Sequence, residues 1–122
     1  MSRSIHISYT VEIDGSQTSV DVPAPYLLLG AQRPSQEFWS LPRLREIGVT
    51  HLAELGETDS ICFTGWHMLE ELRAELELLQ RHLRSIDFDV QTKTKWVSHL
   101  IYCYLLLVQS APPRSVPELV IG

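Results

Sequence analysis

The chain has 122 residues, of which 44% are hydrophobic and 20% charged, values typical of one globular domain spanning residues 1–122. Its net charge of −5 is opposite to what phosphate recognition needs, so we expect no nucleic-acid partner. The longest apolar stretch, Trp96–Val108, would span about 20 Å as a helix, too short for a membrane core of roughly 30 Å. We expect a cytoplasmic location, because residues 2–20 lack a secretory-signal pattern and Cys62 and Cys103 are isolated thiols.

The first predicted element is a β-hairpin over residues 4–23. Apolar and polar side chains alternate from Ile5 to Ile13, which is the period of a half-buried strand. Asp14-Gly15 then favours a tight two-residue turn, and in that register the apolar side chains share one face. The predicted pairs are Ile13 with Ser16, Val11 with Thr18, Tyr9 with Val20 and Ile7 with Val22.

The next region, residues 31–63, has weaker patterns and is predicted to be irregular with short helices. Before it, Pro23 and Pro25 end the hairpin, because proline cannot donate to a strand ladder. Residues 26–29 are either a third short strand or a buried extended segment. Within this region, residues 31–40 are predicted to be a loop, followed by a short helix that Ser40 caps and that ends at Gly48. A short element is predicted over 50–55, and residues 61–63 are either a brief strand or the lead-in to the next helix.

Residues 65–110 are predicted to form a helical hairpin. The first helix begins after the cap residue Thr64, ends near Arg84, and carries a single apolar stripe with a charged back. The second helix runs from about Thr92 to just before Pro112, after a turn over 86–89. Its Leu100–Val108 segment is apolar on every side, which predicts enclosure by the rest of the protein. The leucine stripe of the first helix comprises Leu69, Leu72, Leu76, Leu79, Leu83 and Ile86.

The carboxyl-terminal tail, residues 111–122, contains an apolar run over 116–121 that is expected to add an edge strand beside the hairpin. The predicted fold class is therefore α+β, with an amino-terminal antiparallel hairpin or small sheet packed on an antiparallel pair of long helices.

Residue pairs that resemble catalytic or metal-binding sites have simpler structural interpretations. His67 and Glu71 are one helical turn apart, but a zinc-peptidase helix would offer a second histidine nearby. His99 and Cys103 lie in the most apolar stretch, which favours a core histidine and a buried thiol. With no nucleophile elbow and no glycine-rich phosphate loop, we predict a non-catalytic protein without metal or cofactor.

The charge distribution indicates where a partner would bind. Residues 57–89 hold eight acids against three arginines, whereas the rest of the chain is neutral. Such an acidic face would attract a basic protein. Phe38-Trp39 either fills a core gap or anchors a partner, and Leu78, off the leucine stripe, either meets another part of the chain or is an exposed contact. The candidate partner-binding residues are Glu70, Glu71, Glu75, Glu77, Asp87 and Asp89, with Leu78 and Trp39 as apolar anchors.

Three functional hypotheses follow from these patterns. In size, acidity and lack of a catalytic constellation the chain is similar to small cytoplasmic bacterial immunity proteins that neutralise toxins, a similarity of general character that no residue motif carries. The alternative is a small enzyme or ligand-binding protein whose pocket lies between sheet and helices. The third is a homodimer in which the leucine stripe pairs with its own copy. The residues expected to line the pocket are Trp96, His99, Tyr102 and Tyr104.

Overall fold

Five antiparallel strands form one sheet whose apolar face packs against the helices, so the fold is α+β, as predicted. The structure is a computed structural model that describes residues 2–122. The strands are β1 (Ser2–Val11), β2 (Gln17–Val20), β3 (Leu28–Ala31), β4 (Ile61–Thr64) and β5 (Ser115–Ile121). The α-helices are α1 (Gln32–Trp39), α2 (Pro42–Glu46), α3 (Trp66–His82) and α4 (Val90–Ser110), and 3₁₀ helices cover Leu52–Gly56 and Leu83–Ser85.

The strand order is β2-β1-β5-β4, and β3 also pairs with β1. β5 therefore lies between β1 and β4, so the prediction that it joins the sheet beside the hairpin is confirmed but the predicted edge position is wrong. Alternate side chains explain which face is buried: Ile5, Ile7 and Leu119 point to the helices, whereas His6 and Ser8 stay at the surface. Because β4 is last in the strand order, it ends the sheet on one side.

The β1–β2 hairpin forms, but its register differs by two residues from the prediction. Ile7 pairs with Val20 and Tyr9 with Thr18. The loop is longer because the Gly15 N–H donates to the Val11 carbonyl at 2.8 Å, with Gly15 at a φ of 70°. Because side chains alternate with period two, a shift of two leaves each paired residue on its predicted face. Ile13 is the exception, since it falls outside the ladder and is 92% exposed.

Residues 32–39 form α1 where the sequence predicted a loop, and that prediction is wrong. Ser35, Phe38 and Trp39 are buried along one side of this helix, at the spacing expected of a helical face. Pro34 is tolerated because it stands in the first turn. The neighbouring α2 also has proline in its first turn, as predicted, but its N-cap is Leu41; the Ser40 hydroxyl donates to the carbonyl of Gln36 in α1 instead.

The leucine stripe of α3 is buried, as predicted, except that Leu83, in the 3₁₀ helix after α3, is only partly buried. Its members between Leu69 and Leu79 are each at most 3% exposed, and Ile86 beyond the helix is also buried. The predicted cap is wrong: Gly65 occupies the N-cap position, and the Thr64 hydroxyl donates to Glu118 Oε2 at 3.1 Å. The inward-facing stripe orients the rest of α3 towards solvent.

Helix α4 is not enclosed, in contrast to the prediction. Its inner face is buried against α3 and the sheet, but Leu105 is 48% exposed. The prediction failed because an all-apolar helix can still lack a neighbour on one side. No helix within residues 2–122 is both long and apolar enough to traverse a lipid bilayer. The inner face comprises Trp96, Val97, Leu100, Cys103 and Leu107.

Candidate functional site

Four charged residues of α3 form a row of ion pairs on its outer surface. Arg73 donates to Glu70 Oε1 at 2.7 Å and to Glu77 Oε2 at 2.9 Å, and Arg81 donates to Glu77 Oε1 at 2.9 Å. The hydrogen bond from Arg73 holds the pKa of Glu70 below its usual range, and the two carboxylates raise the pKa of Arg73. This charge ladder (Glu70, Arg73, Glu77, Arg81) is neutral as a whole, because two acids meet two arginines.

Glu71 lies on another side of α3 and faces two histidines. Its Oε2 is 3.1 Å from His51 Nε2, and its Oε1 is 3.6 Å from His67 Nε2. The second histidine that the α3 sequence lacks is thus supplied by the start of the 3₁₀ helix Leu52–Gly56. In residues 2–122, however, no three His, Cys, Asp or Glu side chains are placed to hold a metal ion. The contact joins the 3₁₀ helix to α3.

Glu75 is buried, so the expectation that it faces a partner is wrong. Its carboxylate accepts hydrogen bonds from the backbone N–H of His51 at 2.9 Å and of Leu52 at 3.0 Å, and from the Thr50 hydroxyl at 3.3 Å. Glu75 is 5% exposed. It satisfies backbone donors at the start of the 3₁₀ helix, a use that resembles helix capping by a distant residue.

The two predicted apolar anchors make contacts within the fold, Trp39 in the interior and Leu78 at its margin. Trp39 is 1% exposed and meets the ring of Phe38 edge to face at 4.8 Å, so it fills the core. Leu78 is half-buried, and its Cδ1 methyl lies 3.2 Å from where a Cβ on Gly48 would stand. Neither side chain is free to anchor a partner.

The two aspartates between α3 and α4 have different surroundings. Asp89 accepts from the Thr92 backbone N–H at 2.9 Å and from its hydroxyl at 2.6 Å, which caps α4 and lowers the Asp89 pKa. Asp87 is exposed. Together with the separate positions of Glu71 and Glu75, this placement shows that the acids of residues 57–89 do not form one continuous face.

An exposed apolar surface on α4 lies beside the charge ladder. Leu105 is 48% exposed at its centre, and two shallow depressions of about 220 and 190 Å³ meet there. The larger one reaches Arg73 and Glu77 of α3, and the smaller one reaches Gln109. We call the apolar part the α4 outer face; it comprises Ile101, Tyr102, Leu105 and Leu106.

The titratable groups on the inner side of α4 are packed into the core, as predicted. His99 Nδ1 is 2.7 Å from the Leu28 carbonyl oxygen. The Cys103 thiol donates to the Tyr26 carbonyl at 3.3 Å, and burial raises its pKa to about 12. Both side chains are used in contacts within the fold.

Two buried cations were missed by sequence reasoning. The Lys93 ammonium donates to the carbonyls of Leu83 at 2.8 Å and Ile86 at 2.6 Å, which ties the α3–α4 turn to α4. Arg3 is 1% exposed, donates to the Thr58 carbonyl at 2.8 Å, and has its pKa lowered by burial. A lone basic residue in a strand or helix carries no local signal that it will be buried.

Comparison with known proteins assigns no family. No protein-family model matches the chain, and neither the curated proteins nor the solved structures give a significant match.

Proposed function

We propose that the chain is a non-catalytic protein-binding domain that docks its partner on the α4 outer face and the adjoining charge ladder. The observation that carries the proposal is the exposure of Leu105 at the centre of an apolar surface beside the paired charges of α3. An apolar centre with a polar rim is the usual anatomy of a protein interface. The ladder keeps its geometry through mutual hydrogen bonds, so it offers an ordered rim.

The partner class in this proposal is a basic toxin or enzyme that the domain neutralises in the bacterial cytoplasm, as an immunity protein does. The net charge of −5 favours encounter with a basic protein over long range. At the docking face itself the ladder is neutral, so apolar contact with Leu105 supplies affinity and the overall charge supplies association rate.

The other two hypotheses have less support. The leucine stripe is buried inside the fold, so a homodimer formed through that stripe would require the core to open. A ligand pocket between sheet and helices was expected to be lined by Trp96 and His99, but both are buried in packing contacts. Tyr102 stacks on Tyr26 at 4.0 Å near the surface.

The decisive experiment compares two exposed apolar positions of the same helix. A tagged chain is cross-linked in its native cells, the partner is identified by mass spectrometry, and its affinity for purified variants is measured. We expect Leu105→Arg to weaken binding at least about tenfold, because it places a charge at the centre of the interface. Val90→Arg, at a residue that is 68% exposed at the start of α4, is the matched control and should bind normally. Equal affinity of the two variants would overturn the proposed docking face.

The electrostatic part of the proposal has its own test. Replacing Glu70 and Glu77 by lysine changes the net charge by +4 and should slow association with the same partner at low salt. An unchanged association rate would show that the partner is not recognised through charge, even if the Leu105 result holds.

A further inference from the structure

Strand β4 has one unpaired edge. It ends the strand order β2-β1-β5-β4, so its only strand partner is β5. Edge strands present unpaired N–H and C=O groups that another extended chain can bind.

In an antiparallel strand pair, the backbone N–H and C=O groups of successive residues face alternately towards the partner strand and away from it. Gly65 continues the β4–β5 register, and its N–H donates to the Pro117 carbonyl at 2.8 Å. Backbone groups of residues two apart point the same way, so the N–H and C=O groups of Phe63 and Ile61 also face β5. The backbone groups of Cys62 and Thr64 therefore face away from the sheet, where no hydrogen bond from the backbone of residues 2–122 reaches them.

A groove of about 300 Å³ opens beside this edge. Its apolar part is formed by Met68 and Phe63, and its polar part by His51, Glu54 and Thr58. The His51 ring stands edge to face with Phe63 at 6.1 Å, which holds the inner wall in place. An added strand would direct alternate side chains towards this groove.

We propose that the β4 edge binds an extended peptide segment carrying a basic side chain, which pairs with Cys62 and Thr64 as a sixth strand. The aliphatic stem of a lysine or arginine would lie against Met68, and its charged end would reach Glu54. Glu54 is exposed and forms no ion pair within residues 2–122, so its charge is available.

Charge also favours such a peptide over a second copy of this chain. Glu54 lies in the groove. A second copy paired through β4 would bring its own Glu54 and no basic side chain, because β4 (Ile61–Thr64) contains none. A basic side chain on an added peptide would meet Glu54 with opposite charge.

This inference does not rest on the proposed function, because the β4 edge and the α4 outer face belong to different elements. Leu105→Arg should weaken docking on α4 at least about tenfold without changing peptide binding at β4. The two proposals can therefore fail separately.

The test uses a synthetic probe, acetyl-Thr-Val-Thr-Lys-Thr-Val-Thr-amide, and the full chain. Binding is followed by amide chemical shifts and by hydrogen exchange. We expect the peptide to slow exchange of the Cys62 and Thr64 amides at least threefold, and a peptide with Glu in place of Lys to bind at least fivefold more weakly. Unprotected Cys62 and Thr64 amides, or equal binding of the two peptides, would overturn the inference.

Two protein variants and one chemical control exclude an indirect effect. Cys62→Pro removes the outward N–H but no β5 ladder donor, and should weaken the peptide at least fivefold, whereas Cys62→Ala should bind it normally. If Cys62→Pro does not fold, N-methylation of alternate peptide amides replaces it: one of the two methylation patterns should block binding and the other should not. Equal effects of both patterns would contradict strand pairing. Sedimentation showing a dimer that the peptide dissociates would mean that a second copy is the occupant, and would also overturn the inference.

Discussion

Helices α3 and α4 form one hairpin, but they differ in how completely their apolar residues are buried. In α3 every leucine from Leu69 to Leu79 on the stripe is buried, and the outer surface is occupied by paired charges. In α4, which is the more apolar sequence, Leu105 remains 48% exposed. The apolar residues of a helix set how much surface the helix could bury, whereas the elements packed against that helix determine how much is actually buried. The exposed surplus on α4 is what makes that helix the candidate for docking.

The acids of α3 show the same contrast within a single helix. Glu75 is 5% exposed and binds backbone donors of the 3₁₀ helix, while Glu77 is half-exposed and pairs with two arginines. They are two positions apart, so they face different sides of the helix. A residue type alone does not show whether its charge faces a partner or the interior.

The largest predicted effect distinguishes the apolar residues of the two helices. Leu72 is fully buried, so Leu72→Ala should lower the free energy of unfolding by about 2–5 kcal/mol through lost contacts and a cavity. Leu105→Ala should change it by no more than about 0.5 kcal/mol, because its side chain already meets solvent. Urea unfolding followed by circular dichroism measures both. Similar losses for the two variants would mean that Leu105 belongs to the core.

The second prediction compares two acids of α3. Glu75→Gln should destabilise the fold by about 1–3 kcal/mol, because an amide has one acceptor oxygen for the donors that the carboxylate now binds. Glu77→Gln, the matched control on the surface, should cost no more than about 0.5 kcal/mol. The same unfolding assay applies. If Glu75→Gln left the free energy of unfolding unchanged, the carboxylate would not be needed at the start of the 3₁₀ helix, and the prediction would be contradicted.

Sequence reasoning succeeded where a repeating pattern determines the structure. The leucine stripe of α3 and the face assignment of β1 depend on period, and both were found. The strand over 116–121 was predicted from an apolar run instead; it was found, but not at the predicted edge. The α+β class follows from those elements. Helix α1 was missed because its buried face consists of only Ser35, Phe38 and Trp39, too short a run to show periodicity.

The candidate site was less predictable because it depends on contacts between distant parts of the chain. Burial of Glu75 requires the backbone of His51 to lie beside it, 24 residues away. Exposure of Leu105 depends on how far α3 and the sheet cover α4. Neither fact has a local signal in the sequence.

The third prediction concerns the start of α4 and pH. The hydrogen bonds from Thr92 lower the pKa of Asp89 in the folded state, so its carboxylate stabilises the fold above the unfolded pKa of about 3.9. That contribution is lost as the pH falls through the lower folded pKa. Asp89→Asn should therefore lose less stability than the parent chain between about pH 5 and pH 2.5. The control is Asp87→Asn, which removes an exposed carboxylate that does not cap α4. Urea unfolding of the three proteins at several pH values gives the slope of the unfolding free energy against pH, and equal slopes for Asp89→Asn and the parent chain would contradict the cap.

The last prediction involves no substitution and tests the inner face of α4 through its cysteine. Cys103 lies two residues before Leu105 but on the inner face, where it is fully buried with a pKa raised to about 12. Cys62 on β4 is exposed. Because the thiolate is the reactive form, iodoacetamide at about pH 8 should modify Cys62 and leave Cys103 unmodified, as mass spectrometry would show. Both thiols should react in urea. If Cys103 is modified in the native protein as fast as Cys62, then the inner face of α4 is accessible too, and the contrast between its two faces does not hold.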